Sequence, residues 1–173
     1  MKIQTKDLAI ISLYGALYVS MVMFLPAISY GAVQFRVANT LLAVVPLLGI
    51  AGVLGHTLGV FVANIFSPFG PIDLLNTIPS FVMTFVVYYI YKRTKKDSTV
   101  IGTCIAYSVV LGVTVGWMLN YYAPELQREP LIGTIAYVAL GNSLVSVLVG
   151  WPVFKILKRS GVFDAWLGEK KHE

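Results

Sequence analysis

Long apolar runs follow one another from Leu8 to Ile156, and short polar or Gly/Pro-containing breaks separate them. Because a spanning helix needs about 20 apolar residues, the pattern predicts roughly six helices, near 7–28, 35–49, 52–66, 73–92, 99–121 and 131–158. The second and third are short, and the turn at 48–52 carries no charge, so this pair could be tilted or partly re-entrant. We therefore expect an all-α polytopic membrane protein with one integral membrane domain over residues 1–173.

Charge is scarce and unevenly placed, with 12% charged against 57% hydrophobic residues. Six spans put both termini and the 92–98 loop on one side, and eleven of the thirteen basic residues lie in those places. The positive-inside rule then predicts that both termini are cytoplasmic. The sequence pI of about 9.3 does not indicate nucleic-acid binding, because the basic residues flank the spans and no nucleic-acid-binding motif accompanies them.

With this direction, polar residues from several helices collect at the outer end of the bundle. We expect a ligand site there, since amides and ionisable groups in membrane helices need partners and face the interior. An arginine, an acid, amides and aromatic rings suit a flat, hydrogen-bonding ligand. The candidate ligand-binding residues are Gln34, Arg36, Asn39, Asn64, Asp73, Asn76, Trp117, Asn120, Tyr137 and Asn142.

Simpler roles compete for some of these residues. Tyr121 and Tyr122 could belong to an interfacial aromatic belt, Asp73 could be only a helix cap, and Arg36 could reach lipid phosphates. His56 is expected near the cytoplasmic end as a packed or solvated side chain. No second His or Cys is placed to form a metal site with His56, and the single cysteine, Cys104, excludes an internal disulfide. We expect no metal and no cofactor.

Two stripes of small residues indicate close helix contacts. Ser12, Ala16 and Ser20 are spaced by four on the first helix, where docking to another membrane subunit and internal packing remain equally open. Gly55, Gly59 and Ala63, with Gly52 before them, favour internal packing on the third helix.

The segments QFRVANTLLAVVPLLG and LGVFVANIFSPFGPIDLLNTIPS resemble the QueT family, whose members are substrate-binding (S) components of energy-coupling factor (ECF) transporters. The resemblance implies a six-helix S component in the plasma membrane of a prokaryote, with both termini inside. It also implies capture of a queuosine precursor, a 7-deazaguanine-type base, with Gln34, Arg36, Asn64 and Asp73 at motif positions. The implied partners are the ECF transmembrane coupling subunit and its two ATPases, with the small-residue face of the first helix as the docking surface.

Two other function classes stay open. A self-sufficient carrier or channel would need polar groups along its whole path, and the sequence places few in the inner half besides His56. A membrane-embedded enzyme would need an acid–base pair, nucleophile or metal set in one place, which the sequence does not offer. The sequence contains no G-x-x-x-x-G-K-[ST] motif, so ATP hydrolysis is expected in separate subunits.

Overall fold

A computed structural model of the protein describes residues 4–31, 34–122 and 130–163, and these residues form helices joined by short connections. Five continuous helical stretches within them are long and apolar enough to cross a membrane. Their bounds are Thr5–Phe24, Val37–Ile65, Gly70–Thr94, Ser98–Tyr122 and Leu131–Ser160. The predicted all-α membrane fold is confirmed.

The first stretch, α1 (Thr5–Phe24), ends earlier than the predicted limit of residue 28. Leu25 leaves the helical conformation (φ −128°, ψ 54°), and a separate single turn, α2 (Pro26–Ser29), follows. Proline disfavours the α conformation of the residue before it and is itself well placed at a helix start. The expected single helix over 7–28 is therefore wrong at its end.

The second stretch is a hairpin of two helical arms. A 3₁₀ segment (Val37–Val44) leads into α3 (Val45–Ile65), and Gly49 interrupts α3 with φ 64° and ψ −144°, a conformation that glycine adopts without strain. A Cβ atom on Gly52 would lie 2.9 Å from the Val45 carbonyl oxygen, so the arms are closely apposed beside the turn. The predicted short pair 35–49 and 52–66 is thus present as one folded-back stretch.

The remaining stretches complete the bundle. A second 3₁₀ segment (Gly70–Asn76) precedes α4 (Thr77–Thr94), and α5 spans Ser98–Tyr122. The last stretch is α6 (Leu131–Leu144), a π-helical segment (Val145–Gly150) and α7 (Trp151–Ser160). The predicted helix starting at 73 begins earlier, at Gly70, and the helix predicted over 131–158 contains the π-helical segment, which sequence periodicity did not indicate.

Side-chain contacts give the relative directions of these stretches. Arg36 bonds Asn64 at one end of the bundle, which we call the Arg36 end. At the opposite end, Lys155 and Lys158 bond Asp97 in the loop between α4 and α5, and we call this the basic end. Val153, Leu157 and Phe163 pack near Ile10, so both described ends of the chain lie at the basic end.

The two small-residue stripes have different surroundings in the structure. Cβ atoms added to Gly55 and Gly59 would lie 2.9 and 2.7 Å from the Cβ atoms of Tyr14 and Tyr18, so this stripe packs α3 against α1, as predicted. Ser12, Ala16 and Ser20 are exposed on the other side of α1. Packing within the bundle therefore does not explain the α1 stripe.

Candidate ligand-binding site at the Arg36 end

Arg36 and Asp73 form a buried ion pair. Arg36 Nη2 lies 3.5 Å from Asp73 Oδ2, and the side chains are 6% and 1% exposed. The same nitrogen donates to Asn64 Oδ1 at 2.9 Å, so one guanidinium nitrogen connects the end of α3 to the 3₁₀ segment Gly70–Asn76. A buried charge is tolerated where it is paired and hydrogen-bonded, and this geometry provides both.

Asp73 is held from two more directions. Asn76 Nδ2 donates to Asp73 Oδ1 at 2.8 Å, and Asn64 Nδ2 donates to the Asp73 carbonyl oxygen at 2.8 Å. Asp73 lies inside the 3₁₀ segment Gly70–Asn76 and is fully buried, so the alternative that it is only a helix cap is wrong. Asn76 also contacts Met118 Sδ at 3.3 Å, which links the cluster to α5.

Tyr30 covers one face of the guanidinium. The Arg36 Cζ atom lies 5.2 Å from the ring centroid, a cation–π distance, and Tyr30 Oη donates to the Ala63 carbonyl oxygen at 2.6 Å. Burial raises the pKa of Tyr30 to about 12, so the hydroxyl stays protonated and keeps its role as donor. The ring therefore adds a second contact that holds the Arg36 guanidinium besides its ion pair.

Several buried polar atoms in this region have no partner among the described residues. They include Ser29 Oγ, Gln34 Nε2 and Arg36 Nε. Gln34 is 2% exposed and adopts a left-handed backbone conformation with φ 42°, which is uncommon for a residue that is not glycine. An unpaired buried polar group costs about 1–3 kcal/mol, so these atoms are candidates for hydrogen bonds to a bound ligand.

A second polar layer lies one turn deeper. Asn39 accepts from Tyr18 Oη at 2.8 Å and donates to Asn142 Oδ1 at 2.5 Å. Ser146 Oγ donates to the Asn39 carbonyl oxygen at 3.3 Å. Asn39 and Asn142 are thus brought together as predicted, but they form a hydrogen bond to each other beneath the Arg36 cluster.

A third layer surrounds His56 at mid-depth. Its Nδ1 lies 3.0 Å from Tyr14 Oη, and its Nε2 lies 3.1 Å from Tyr107 Oη, which also lies 2.8 Å from Ser80 Oγ. His56 is fully buried. Of the two predicted states, packed or solvated, His56 has the packed one. Its predicted placement near the basic end is wrong, because residues 50–65 start at the hairpin turn and carry His56 towards the middle.

The cluster contains groups that can recognise a polar ligand. It offers a fixed guanidinium, a carboxylate and amides, each of which recognises the edge of a polar group. Among the described residues, no group of three His, Cys, Asp or Glu side chains could hold a metal ion.

Comparison with known proteins identifies the family. A family model described as QueT transporter matches residues 8–159, which is most of the chain. The chain belongs to the QueT family. QueT is a family of ECF S components, so the chain is a component of membrane transport. No curated protein and no solved structure matches this QueT chain.

Three of the residues predicted for the site of this QueT protein lie outside the buried cluster. Trp117 is 53% exposed and stacks on Tyr121 at a ring-centroid distance of 5.8 Å. Tyr137 is also exposed, and Asn120 is half-buried. Trp117 lines a lateral cleft of about 370 Å³ together with Asn76 and Met118. It therefore lies beside the cluster, on the exposed side of the bundle.

The sequence missed three tyrosines and a serine that shape the site region. Tyr18 and Tyr30 bond across helices, Tyr107 bonds His56, and Ser29 is fully buried with an unpartnered hydroxyl. For Tyr18, the available signal was its spacing of four residues from Tyr14, which places both tyrosines on one face of α1. That face packs on the glycine stripe of α3.

Proposed function

We propose that this QueT chain is the substrate-capture subunit of an ATP-driven ECF importer, and that its ligand is a planar, polar heterocycle of the 7-deazaguanine type, a queuosine precursor. The observation that carries the proposal is the pair of unpartnered buried donors, Gln34 Nε2 and Arg36 Nε, together with the Asp73 carboxylate that Arg36 contacts. A base of this type presents acceptors and donors along its edges, and these match both kinds of group.

In this proposal, different residues of the cluster contact the acceptors and the donors of the base. Gln34 and Arg36 donate to acceptors on one edge of the base, and Asp73 accepts from its amino and ring N–H groups. Asn76 donates to the Asp73 carboxylate and Asn64 donates to the Asp73 backbone carbonyl, and these bonds limit the rotation of the Asp73 side chain. Because these side chains are already ordered, little conformational entropy is lost when the ligand binds.

The direction of transport follows from charge. The basic end carries the described Lys6, Lys92, Arg93, Lys95, Lys96, Lys155, Lys158 and Arg159. By the positive-inside rule this end is cytoplasmic, in the plasma membrane of a prokaryote, and the Arg36 end faces outward to collect the ligand.

Release requires the coupling subunit and its two ATPases. From the His56 layer towards the basic end, the described core is mostly apolar, with side chains such as Leu42, Val87 and Phe154. The buried hydroxyls of Thr84 and Thr103 donate to carbonyl oxygens of their own helices. A continuous polar path therefore does not extend through the described bundle, which argues against the alternative of a self-sufficient carrier or channel. Hydrolysis in the partner subunits would reset the bundle so that the ligand leaves inward.

A ligand-panel stability screen tests the substrate class. Purified protein is heated with a 7-deazaguanine, thiamine or an amino acid, each at a large excess over the expected dissociation constant. Binding at 100 times that constant stabilises the folded state by about 2.7 kcal/mol, which corresponds to a rise in Tm of about 5–10 °C. Equal shifts for all three compounds would overturn the substrate assignment.

Asp73→Asn and Trp117→Phe form the matched pair for the site itself. Asp73→Asn keeps the side-chain shape but replaces one acceptor oxygen with a donor, and we expect it to abolish the selective shift. Trp117→Phe changes a residue on the outer surface of the bundle and should retain the shift. A selective shift that survives Asp73→Asn would place the ligand elsewhere.

A further inference from the structure

A lateral cleft at the basic end lies outside the candidate ligand site. It has a volume of about 600 Å³ and is lined by Ile50, Phe85, Tyr88, Tyr89, Lys92 and Arg93. Five of these residues belong to α4, and Ile50 belongs to the tip of the hairpin. The cleft combines an apolar wall, two phenol rings and two cations.

The cleft exists because the hairpin is short. Each arm is on the order of 20–25 Å long at 1.5–2.0 Å per residue, less than the ~30 Å of a hydrocarbon core. The turn is level with Tyr88, because a Cβ atom on Gly49 would lie 3.9 Å from its Cε2 atom. Helix α4 continues to Thr94, more than a turn further, and leaves a recess under the hairpin.

The cations are held against aromatic faces at the mouth of this recess. Arg93 Cζ lies 5.3 Å from the centroid of the Tyr89 ring, and Arg93 Nε donates to Tyr89 Oη at 3.1 Å. Lys92 Nζ lies 5.5 Å from the centroid of the Tyr88 ring. The bond through Nε fixes the guanidinium plane while its two terminal nitrogens make no hydrogen bond to the described residues.

Acidic side chains do not neutralise Arg93 within the described chain. Asp97, the carboxylate of the adjoining loop, is bonded by Lys155 at 2.9 Å and by Lys158. The loop also carries Lys95 and Lys96 beyond the end of α4. The mouth of the cleft is therefore positively charged at Arg93, while Phe85 and Ile50 make its wall apolar.

We propose that this cleft binds the phosphate headgroup of an anionic phospholipid. The terminal nitrogens of Arg93 and the ammonium of Lys92 contact the phosphate, and one acyl chain lies along Phe85 and Ile50. An apolar wall that continues into a cationic mouth matches a lipid, since a free phosphate would use only the mouth. The proposal concerns the membrane around the chain and does not depend on the ligand of the Arg36 end.

Native mass spectrometry of the purified full chain tests it with phosphatidylglycerol, phosphatidylcholine and inorganic phosphate as separate probes. Phosphatidylglycerol should remain bound at least several-fold more than phosphatidylcholine, and millimolar inorganic phosphate should not displace it. Retention of both lipids to the same extent would overturn the proposal, and so would displacement by inorganic phosphate.

Two double variants with the same change in charge locate the site. Lys92→Gln with Arg93→Gln removes both cations of the cleft and should weaken phosphatidylglycerol retention roughly tenfold. Lys95→Gln with Lys96→Gln removes two cations outside the cleft and should weaken it less than twofold. Equal losses in the two variants would show attraction to general positive charge and overturn the site.

Tyr89→Phe provides a variant that keeps all charges. It removes the acceptor of the Arg93 Nε bond and leaves the ring, so we expect a smaller but measurable loss of phosphatidylglycerol. The loss should occur without a fall in the unfolding temperature in lipid-free detergent. Unchanged retention would show that the fixed guanidinium plane has no part in binding and would contradict the proposed geometry.

Discussion

Arg36 and Asp73 lie 37 positions apart in sequence and form a buried ion pair, with Arg36 Nη2 3.5 Å from Asp73 Oδ2. Another hydrogen-bond partner of the Arg36 side chain, Asn64, is also distant in sequence, whereas Asp73 additionally accepts from Asn76 three positions away. Arg36 is positioned by the start of the hairpin, and Asp73 by the 3₁₀ segment before α4. The pair therefore joins two stretches that the chain brings together only when it folds.

This relationship predicts strong coupling between the two residues. Arg36→Gln and Asp73→Asn should each lower the free energy of unfolding by about 3–5 kcal/mol, because each leaves its partner charged and buried. The double variant should lose clearly less than the sum of the two, since it leaves neither charge. Thermal unfolding of the four proteins in one detergent measures the cycle. Additive losses would contradict the buried ion pair.

A substitution of Gln34 should weaken ligand binding without lowering the stability of the apo protein. Gln34→Gly removes a side-chain amide nitrogen that bonds to no described residue, and it suits the backbone φ of 42°. We expect the apo protein to unfold at the same or a higher temperature, because the left-handed conformation costs a non-glycine residue about 1–2 kcal/mol. Ligand affinity should fall roughly tenfold with the lost hydrogen bond, measured by calorimetry. A less stable apo protein would refute this account of Gln34.

Gly59 and Gly102 form a matched pair for the packing of α1 on α3. Gly59→Ala places a Cβ atom 2.7 Å from that of Tyr18, and we expect a loss of about 1–3 kcal/mol in the free energy of unfolding. Gly102→Ala adds a Cβ atom to an open surface of α5 and should leave stability unchanged or raise it by up to about 1 kcal/mol. Denaturation in mild detergent compares the two, and equal effects would contradict the close approach.

Ala16 lies in the exposed stripe of α1, and we expect Ala16→Leu to impair assembly with the coupling subunit while ligand binding is retained. A leucine there separates two helices that a small residue allows to approach closely. Ala106→Leu adds the same side chain at an exposed position of α5 and serves as the control. Co-purification of the partner subunits with each variant is the readout. Normal assembly of Ala16→Leu would remove the stripe from the docking surface.

The ion pairs of Asp97 with Lys155 and Lys158 predict that the stability of the protein falls at acid pH. Partial burial opposes its ionisation, but hydrogen bonds from Lys158 and Lys155 outweigh this and lower the pKa of Asp97 from its ordinary 3.8. A lowered pKa means that the stabilisation is complete above the ordinary value and is lost as pH falls through the lowered one. Asp97→Asn should be less stable than wild type at pH 7, and the two should converge well below pH 4. A constant difference across this range would contradict the interpretation.

The sequence identified the individual parts of the candidate site better than their arrangement. Gln34, Arg36, Asn64, Asp73 and Asn76 were predictable because polar side chains stand out in apolar helices and need partners. Trp117 and Tyr137 shared the predicted depth, yet they face outward. Depth follows from position along a helix, whereas facing depends on how each helix is rotated against its neighbours.

The sequence by itself determined that the chain is a helical membrane protein, because apolar runs of this length bury their backbone polar groups only as helices. It also determined which residues are polar within those runs, and the pair of short helices joined by an uncharged turn at 48–52. Tertiary structure decided that His56 bonds Tyr14 and Tyr107 at mid-depth, and that Asp73 pairs with Arg36 rather than capping a helix. These outcomes depend on contacts between stretches far apart in sequence, and such contacts form only when the helices pack.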